Sequence, residues 1–404
     1  ELARISSRPA TATHGRVPGV VITISAGRFF SMTSISTDQP KLALGVLGWA
    51  EGRSILSAAA TSQCCRAFAL CDINEELLRQ RRTEFGIDRV TTKLEEMLAM
   101  PEIDLVAIYT PDHLHGVHIK QCLEAGKHVI CTKPVLDNLE MGRELLDVVK
   151  KTGRRVFVGQ SSRFFEPMLH QRRDFEAGRH GELITVEAHY NHDHRPFLRE
   201  KIWYQSEQFN WVFGGLAHPV DLVRWYLPEI EEIIAYGYTS PGTDGYRFKN
   251  PDTIHVILRA RDGRIARVSG CYVGPDVGPQ AQDHITCILR GVHGASQGNY
   301  MSLRYFTHFE GEGERTRYFN DRDKHYFRFE GNSHHAGEFQ NYLDYFALSL
   351  REGTVPKPDL EEGLVTLAVM VAIDESIKTR RSIRLVDVLR RYGLEDLVAP
   401  VKAA

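Results

Sequence analysis

Short apolar runs alternate with segments of helical periodicity between residues 41 and 161. The apolar runs predict buried strands at 42–47, 67–71, 105–109, 128–131 and 156–159. The segments between them predict helices that run to residue 60 and over 74–85, 94–100, 113–125 and 137–152. Strands that alternate with helices in this way form a parallel sheet, which binds its ligand at the carboxyl ends of its strands.

The second half of the chain has a different spacing of apolar positions. Alternating apolar and polar positions predict strands at 183–190, 233–238, 253–259, 265–272 and 285–290, with few helices between them. Helices are predicted at 335–352 and 360–379, and the second of these is expected to return to the first domain. The fold class is therefore α/β: an N-terminal doubly wound parallel sheet and a C-terminal α/β domain with an open, mainly antiparallel sheet.

Composition excludes several classes of protein. The chain has 404 residues and a formal net charge of −2, so no global basic field attracts nucleic acid or an anionic membrane. No apolar run reaches about 18 residues, the length typical of a membrane span. The seven cysteines are odd in number and form no CxxC pair. They argue against a disulfide framework or a structural zinc site and favour a reducing, cytoplasmic compartment.

The first forty residues differ from the rest. No acidic residue occurs between Leu2 and Thr37, although several arginines do, and the first methionine is Met32. This composition is typical of a transit peptide, but it also fits an extension ahead of a start near Met32. Both interpretations predict disorder for most of the segment.

A glycine-containing turn follows the first strand. Gly45, Gly48 and Gly52 lie between this strand and a helix, where backbone amides can hold a pyrophosphate. The fingerprint is imperfect, because Ala50 and Arg53 occupy positions where glycine is usual, and an ordinary strand–helix turn is the alternative. The candidate cofactor contacts in this turn are Gly48, Trp49, Ala50, Glu51, Gly52 and Arg53, and Arg53 is expected to help neutralise the pyrophosphate.

An acidic residue ends the second strand. Asp72 lies 24 residues beyond Gly48, where a carboxylate accepts hydrogen bonds from the ribose hydroxyls of a dinucleotide. Such a carboxylate repels a 2′-phosphate, and Ile73 after it offers no phosphate contact, so NAD is favoured over NADP. The alternative is that Asp72 only caps the next helix.

Lys133 and His218 are the candidate catalytic residues. Lys133, followed by Pro134, comes after the fourth predicted strand and should point into the ligand crevice. His218 follows Gly214 and Gly215 near the start of a helix and suits a general base. The alternatives are a solvated lysine and a histidine that packs against or caps its helix.

Taken together, these motifs resemble the Gfo/Idh/MocA family, the glucose–fructose oxidoreductase and inositol dehydrogenase group. The segments that carry the resemblance are 110–115 (TPDHLH), 126–134 (GKHVICTKP), 159–164 (GQSSRF) and 358–363 (PDLEEG). The resemblance implies a Rossmann domain over 41–161, a substrate-binding and oligomerisation domain over 162–385 and a tail over 386–404. It also implies NAD as the cofactor and a homodimer or homotetramer.

The resemblance also assigns residue roles. It implies that Lys133 hydrogen-bonds the reacting oxygen and that His218 takes the hydroxyl proton as hydride leaves for NAD. Two positions depart from the family pattern: Gly214 replaces a frequent aspartate that binds a substrate hydroxyl, and Thr132 replaces a glutamate. Further cofactor contacts are expected at Ile73, Thr110, Pro111, His115, Lys133 and Gln160.

Substrate-binding candidates come mainly from the second domain. Besides Lys133 and His218, they are Arg163, Tyr190, His192, His194, Arg195, Trp203 and His335. Arg163, His194 and Arg195 together suit an anionic substrate. The His192-x-His194 pair offers too few ligands for a metal, so no metal site is predicted.

The predicted function is therefore NAD-dependent hydride transfer from or to a hydroxyl carbon of a sugar, sugar acid or cyclitol. One alternative is an NAD-dependent glycoside hydrolase that oxidises transiently, eliminates the aglycone, adds water and reduces again, on an anionic glycoside such as a uronic or sulfonated one. Another is a non-catalytic NAD-binding regulator. The expected partner is a small carbohydrate, not nucleic acid or a membrane.

Overall fold

The computed structural model describes residues 23–25, 28–31, 39–48, 52–200, 207, 209–277, 283–319 and 337–398. Within the first forty residues, β1 (Thr23–Ser25) and β2 (Arg28–Ser31) pair as a short antiparallel hairpin. The predicted disorder of the remaining extension falls mainly outside the described residues.

A six-stranded parallel sheet forms the first domain. Its strands are β3 (Leu42–Leu47), β4 (Cys65–Cys71), β5 (Arg89–Thr91), β6 (Leu105–Ile108), β7 (His128–Thr132) and β8 (Val156–Gly159). Their order is β5-β4-β3-β6-β7-β8, so the chain reverses direction across the sheet between β3 and β6. This reversal opens a crevice at the carboxyl ends of the two strands. The predicted strands are confirmed, whereas β5 was missed because three residues are too few to show a period.

The helices of this domain are α1 (Gly52–Thr61), α2 (Glu75–Phe85), α3 (Leu94–Leu98), α4 (His115–Glu124) and α5 (Gly142–Thr152). The Asn74 side chain accepts a hydrogen bond from the Leu77 amide and caps α2, as predicted. The prediction for α5 began five residues too early. Asn138 accepts a hydrogen bond from the Glu140 amide there, and this local turn competes with the helix.

A nine-stranded sheet forms the second domain. Its strands are β9 (Leu183–Asn191), β10 (Ile230–Tyr238), β11 (Thr253–Ala260), β12 (Ile265–Cys271), β13 (Ile285–Gly291), β14 (Gly294–Asn299), β15 (Arg304–Phe309), β16 (Gly313–Tyr318) and β17 (Ile383–Arg384). The order is β16-β15-β14-β13-β9-β12-β11-β10-β17, and every pair is antiparallel except β9 with β12. Strands β14–β16 were missed, because glycine and polar residues hide the alternation of β14 and β16.

Six more helices of the described residues follow β8 along the chain. They are α6 (Glu166–Glu176), α7 (Arg195–Glu200), α8 (Ala217–Tyr226), α9 (Gly337–Glu352), α10 (Leu360–Thr379) and α11 (Leu385–Arg390). Helix α9 packs on α1, where Leu343 and Phe346 share a core cluster with Ile55. Helix α10 packs on the first domain at Gly363. A Cβ at this position would lie only 2.7 Å from the Val158 side chain. Across the described residues, no helix has the length and apolarity needed to cross a membrane.

Candidate active site

Gly48 brings the end of β3 close to the end of β6. Its φ is +86°, and a Cβ there would lie 2.7 Å from the carbonyl carbon of Tyr109 and 2.8 Å from the Thr110 nitrogen. Both the left-handed backbone and this approach require glycine. Gly52 begins α1, where a Cβ would lie 3.2 Å from Val46. The turn therefore keeps the space between β3 and α1 free of side chains at these two positions.

Arg53 is placed differently from expectation. Its guanidinium forms an ion pair with Glu84 of α2, with Nη2 2.6 Å from Oε1. This pair offsets part of the charge of Arg53 on the side of α2, and the contact with pyrophosphate stays a prediction. The neighbouring candidates Trp49, Ala50 and Glu51 lie outside the described residues.

Asp72 lies at the carboxyl end of β4. Its Oδ1 accepts a hydrogen bond from the Asn74 amide at 2.8 Å, so the carboxylate is held by the turn that leads into α2. The next side chain, Ile73, is 92% exposed. The residue that caps α2 is Asn74, so the alternative that Asp72 caps this helix is wrong, and the ribose contact stays a prediction.

His115 holds two loops of the crevice together. Its Nε2 lies 2.8 Å from the Thr110 carbonyl oxygen and its Nδ1 lies 2.9 Å from the Pro134 carbonyl oxygen. Burial lowers the pKa of His115, so the neutral ring donates to one of these carbonyls. The ring is buried and positions the loops that carry Thr110 and Lys133, and its contact with the cofactor stays a prediction.

Other polar groups of the crevice come from the ends of β6 and β8. The Thr110 hydroxyl lies 3.0 Å from Nδ1 of His118, and Pro111 precedes a short 3-10 turn, Asp112–Leu114, at the start of α4. Gln160 follows β8 and is buried, and its Oε1 has no hydrogen-bond partner within the described part of the chain. A buried amide oxygen without a partner calls for a donor.

These features fit an NAD molecule. The glycine turn leaves room for close backbone approach, Asp72 supplies a carboxylate at the neighbouring strand end, and Gln160 offers an acceptor that the described residues leave unused.

Lys133 links the two domains. Its Nζ donates a hydrogen bond of 2.9 Å to the carbonyl oxygen of Gly214, in the loop that leads to α8. His218 lies in the first turn of α8, so this hydrogen bond brings the two candidate catalytic residues to one place. Sequence reasoning named both residues, but it could not show that the Gly214 backbone joins them.

His218 is buried and has two neighbours that orient its ring. Its Nδ1 lies 2.5 Å from the hydroxyl oxygen of Ser162, a fully buried residue at the end of the first domain. The Tyr190 ring meets the imidazole edge-on, with centroids 5.7 Å apart. Ser162 was not among the predicted site residues, because a serine carries no signal until its partner is known.

His194 and Tyr190 form a hydrogen-bonded pair beside this site. Nδ1 of His194 lies 3.0 Å from the backbone carbonyl oxygen of His192, so it carries the proton and donates. Nε2 therefore accepts from the Tyr190 hydroxyl at 3.2 Å. Burial, then the charge of His192, lowers the pKa of His194 to about 3, so this ring is neutral at neutral pH.

The Tyr272 side chain leaves no room for a side chain at two glycine positions around the site. Its ring stacks on Trp211 with centroids 4.3 Å apart. A Cβ on Gly215 or on Gly270 would lie 2.4 Å from a Tyr272 atom. The Gly215 backbone can thus lie against the Tyr272 ring only because it has no side chain, and this contact fixes the loop that precedes His218.

Arg163 corrects another expectation. Its guanidinium is 3% exposed and forms two hydrogen bonds with Asp221, of 2.6 and 2.7 Å, and one of 3.0 Å with Glu362. Burial opposes its charge, but Asp221 and Glu362 outweigh burial and raise the pKa of Arg163. Arg163 therefore ties the end of the first domain to α8 and α10 instead of facing a substrate.

Arg195 is also paired. Its guanidinium contacts both carboxylate oxygens of Asp193 at 2.7 Å. His192 lies against Asp276, with its Nδ1 3.0 Å from Oδ2. Trp203 and His335, the two other substrate candidates, lie outside the described residues.

Comparison with known families covers both domains. A family model described as the oxidoreductase family with an NAD-binding Rossmann fold matches residues 42–160. A second, described as the GFO/IDH/MocA C-terminal domain, matches residues 169–294. The two matches together span more than half of the chain.

Individual relatives are distant. Myo-inositol 2-dehydrogenase of Thermotoga maritima is 22% identical over 329 residues, which are 80% of this chain and 92% of that protein. Levoglucosan dehydrogenase of Pseudarthrobacter phenanthrenivorans is 25% identical over 170 residues, 41% of this chain and 44% of that protein. An uncharacterized oxidoreductase of Schizosaccharomyces pombe is 38% identical over 108 residues, and this match covers 27% of the chain but only 29% of the relative.

Solved structures share the fold. An oxidoreductase from Agrobacterium radiobacter, in complex with NAD+, L-tartaric acid and magnesium, has a TM-score of 0.76 at 17% identity and covers 87% of this chain and 100% of its own. Levoglucosan dehydrogenase in complex with NADH and levoglucosan has a TM-score of 0.74 at 20% identity, over 85% and 99%. With both domains matched in order and the crevice fitted for NAD, the chain belongs to the Gfo/Idh/MocA family of NAD-binding oxidoreductases.

Proposed function

We propose that the protein is an NAD-dependent dehydrogenase that acts on a hydroxyl of a neutral sugar or cyclitol. The hydrogen bond from Lys133 to the Gly214 carbonyl carries this proposal, because it brings a lysine of the first domain beside a histidine of the second. An ammonium and an imidazole at one oxygen are the groups that oxidation of an alcohol needs.

Gly48, Asp72, Thr110 and Gln160 are the residues proposed to hold the cofactor. They lie at the ends of β3, β4, β6 and β8. Strands β3 and β6 border the crevice, β4 is the neighbour of β3, and β8 lies beyond β7. When bound there, NAD supplies the acceptor for the hydride that leaves the substrate carbon.

The protein's own residues manage the proton and the developing charge. His218 takes the proton from the substrate hydroxyl, and the electron pair of the O–H bond forms the carbonyl as the C–H bond gives up its hydride. Lys133 donates a hydrogen bond to the same oxygen and stabilises its negative charge during this step. For Nε2 of His218 to receive the proton, Nδ1 carries the ring hydrogen and donates it to the hydroxyl oxygen of Ser162, which orients the ring.

The charges near the site favour a neutral substrate. The expectation of an anionic one depended on Arg163 and Arg195, and both are paired with carboxylates. His194, the third member, is neutral at neutral pH because burial lowers its pKa. Inositol and levoglucosan, the substrates in the names of two relatives, are likewise neutral.

A substrate panel tests this proposal. Neutral sugars, cyclitols, uronic acids and glycosides are offered separately with NAD, and NADH absorbance and reaction products are followed together. Net NADH formation from a neutral sugar or cyclitol is expected. Release of an aglycone at catalytic NAD without net NADH would instead establish the glycoside hydrolase, and NAD binding without turnover of any substrate would indicate a regulator.

The outer face of the second sheet supports a homo-oligomer. Tyr236, Ile257 and Ile265 come from three adjacent strands, point to the same face and are 64%, 41% and 51% exposed. Ion-paired side chains, including Arg259 and Arg267, border this apolar patch, and an apolar patch with a polar rim on a sheet face is a common contact between identical subunits. We infer a dimer or tetramer that buries this face.

A further inference from the structure

Three polar side chains meet where three central strands of the second sheet end or begin. His192 follows β9, Asp276 follows β12 and His284 precedes β13. Because β9 lies between β12 and β13, the ends of β9 and β12 and the start of β13 are neighbours on this side of the sheet. We propose that His192, Asp276 and His284 form a binding site for a divalent transition-metal ion, with Zn²⁺ as its test ligand.

The ligand atoms are already close together. One nitrogen from each histidine and one oxygen of Asp276 all lie within 4.8 Å of one another. Oδ2 of Asp276 is 3.0 Å from Nδ1 of His192 and 3.6 Å from Nε2 of His284. In a tetrahedral zinc site, ligand atoms at about 2.1 Å from the metal are about 3.4 Å apart. The two distances to Asp276 bracket this value.

The two imidazole rings require only a local adjustment. They stack with centroids 3.8 Å apart and planes 29° apart. Metal ligation uses the lone pair in the plane of each ring, so one ring has to turn about its χ angles to aim at a shared ion. Both side chains are partly exposed, at 24% and 22%, and the His192 ring also contacts the His194 ring, with centroids 4.6 Å apart.

The backbone already divides the two oxygens of Asp276 between two tasks. Oδ1 accepts the amide hydrogen of Asp193 at 3.1 Å, whereas Oδ2 faces the histidines. Ligating carboxylates are commonly oriented by such an outer hydrogen bond. Asp276 is thus held with one oxygen toward the position that an ion would take.

The donor set has a recognisable chemistry. Two imidazoles and one carboxylate are found at catalytic zinc sites and at non-haem iron sites, where remaining positions stay open to water or substrate. The partial exposure of all three residues is compatible with such open positions. Sequence reasoning missed this set, because it paired His192 with His194, whose ring instead hydrogen-bonds Tyr190.

An ordinary histidine–carboxylate pair elsewhere provides a matched control. His293 Nδ1 lies 2.8 Å from Glu310 on the surface, but no third ligand of the described chain completes a group there. A hydrogen-bonded pair alone should not bind zinc tightly, so His293→Ala removes an imidazole without touching the proposed site.

Zinc binding to the tag-free full-length protein tests the proposal. After chelator treatment and buffer exchange, Zn²⁺ alone is titrated by calorimetry and bound metal is counted by mass spectrometry. Wild type and His293→Ala are expected to bind about one equivalent with equal affinity. His284→Ala and Asp276→Asn are each expected to weaken binding by more than about 100-fold, the upper range for loss of a mere outer-shell partner.

Two further measurements keep the result specific. Cys271→Ser should leave zinc affinity unchanged, and the Co²⁺-loaded wild type should show no thiolate charge-transfer band, because the proposed ligands are nitrogen and oxygen. Thermal melts confirm that each variant is folded. Equal zinc binding by folded His284→Ala and wild type, or no binding by wild type, would overturn the proposal whatever the protein's catalytic activity proves to be.

Discussion

Lys133 Nζ lies 2.9 Å from the carbonyl oxygen of Gly214, and this contact joins the loop after β7 to the loop before α8. Gly214 has no side chain, so the lysine here meets a backbone carbonyl at that point. The ammonium is therefore held in place by the second domain before any substrate arrives.

Removing this ammonium should stop the reaction. Lys133→Met keeps most of the side-chain length but loses the charge and the hydrogen-bond donor, so kcat is expected to fall by about 10²–10⁴-fold. NAD affinity, measured by calorimetry, should change little. Lys120→Met removes a surface lysine that pairs with Glu144 and serves as the control. Normal turnover by Lys133→Met would disprove the proposed role.

The hydroxyl of Ser162 should tune His218 without reacting itself. Ser162→Ala removes the partner of Nδ1, so the imidazole loses an orienting hydrogen bond of about 0.5–1.5 kcal/mol. We expect kcat to fall by about 3- to 10-fold, a displaced pH dependence of kcat and a nearly unchanged KM. Ser161→Ala at the adjacent position is the control, and identical pH profiles for both variants would argue against a positioning role.

Arg163 should matter for stability more than for substrate binding. Arg163→Met leaves Asp221, whose side chain is 1% exposed, without its cation, and the free energy of unfolding is expected to drop by about 3–5 kcal/mol. Urea unfolding measures this change, and Arg163→Met with Asp221→Asn should recover part of it. Unchanged stability together with a higher KM for uronic acids would restore the substrate-binding interpretation.

His128 should contribute to acid sensitivity. Burial, then the charges of Arg154 and Arg155, lowers the pKa of His128 to about 4, whereas the unfolded value is about 6.5. Between these values the unfolded chain binds the proton and the folded chain does not, so stability falls as the pH drops from about 6.5 and levels off below about 4.

Glutamine at position 128 keeps an acceptor for the Arg155 amide but cannot titrate. His128→Gln should therefore make the loss of stability on acidification shallower, as measured by urea unfolding at a series of pH values. His293→Gln, a change at an exposed surface histidine, is the comparison. An equally steep acid limb in wild type and His128→Gln would contradict the assignment.

The outer face of the second sheet should hold subunits together. Ile257→Asp places a charge in the middle of the apolar patch, so light scattering after size exclusion should show a smaller particle than for wild type. Val292→Asp changes an apolar residue of similar exposure, 55%, in a hairpin turn and should leave the mass unchanged. A monomeric wild type would rule out the oligomer.

Local patterns determined most of the elements. Period-two and period-3.6 positions predicted five strands of each sheet and most helices, because an element with one buried face repeats its apolar residues at a fixed spacing. The order of motifs also pointed to Lys133 and His218. Short or polar strands such as Arg89–Thr91 and Gly313–Tyr318 were not predicted, since they depend on pairing with neighbouring strands.

Only the tertiary structure decided which side chains meet. Arg163 pairs with carboxylates 58 and 199 positions away, and this pairing turned a predicted substrate contact into a structural one. His192 joins Asp276, 84 positions along the chain, while its sequence neighbour His194 turns to Tyr190. Charge pairing and ligand geometry depend on distances in space. The sequence therefore determines which ionisable side chains are present, whereas the packing of the two domains determines which of them come into contact.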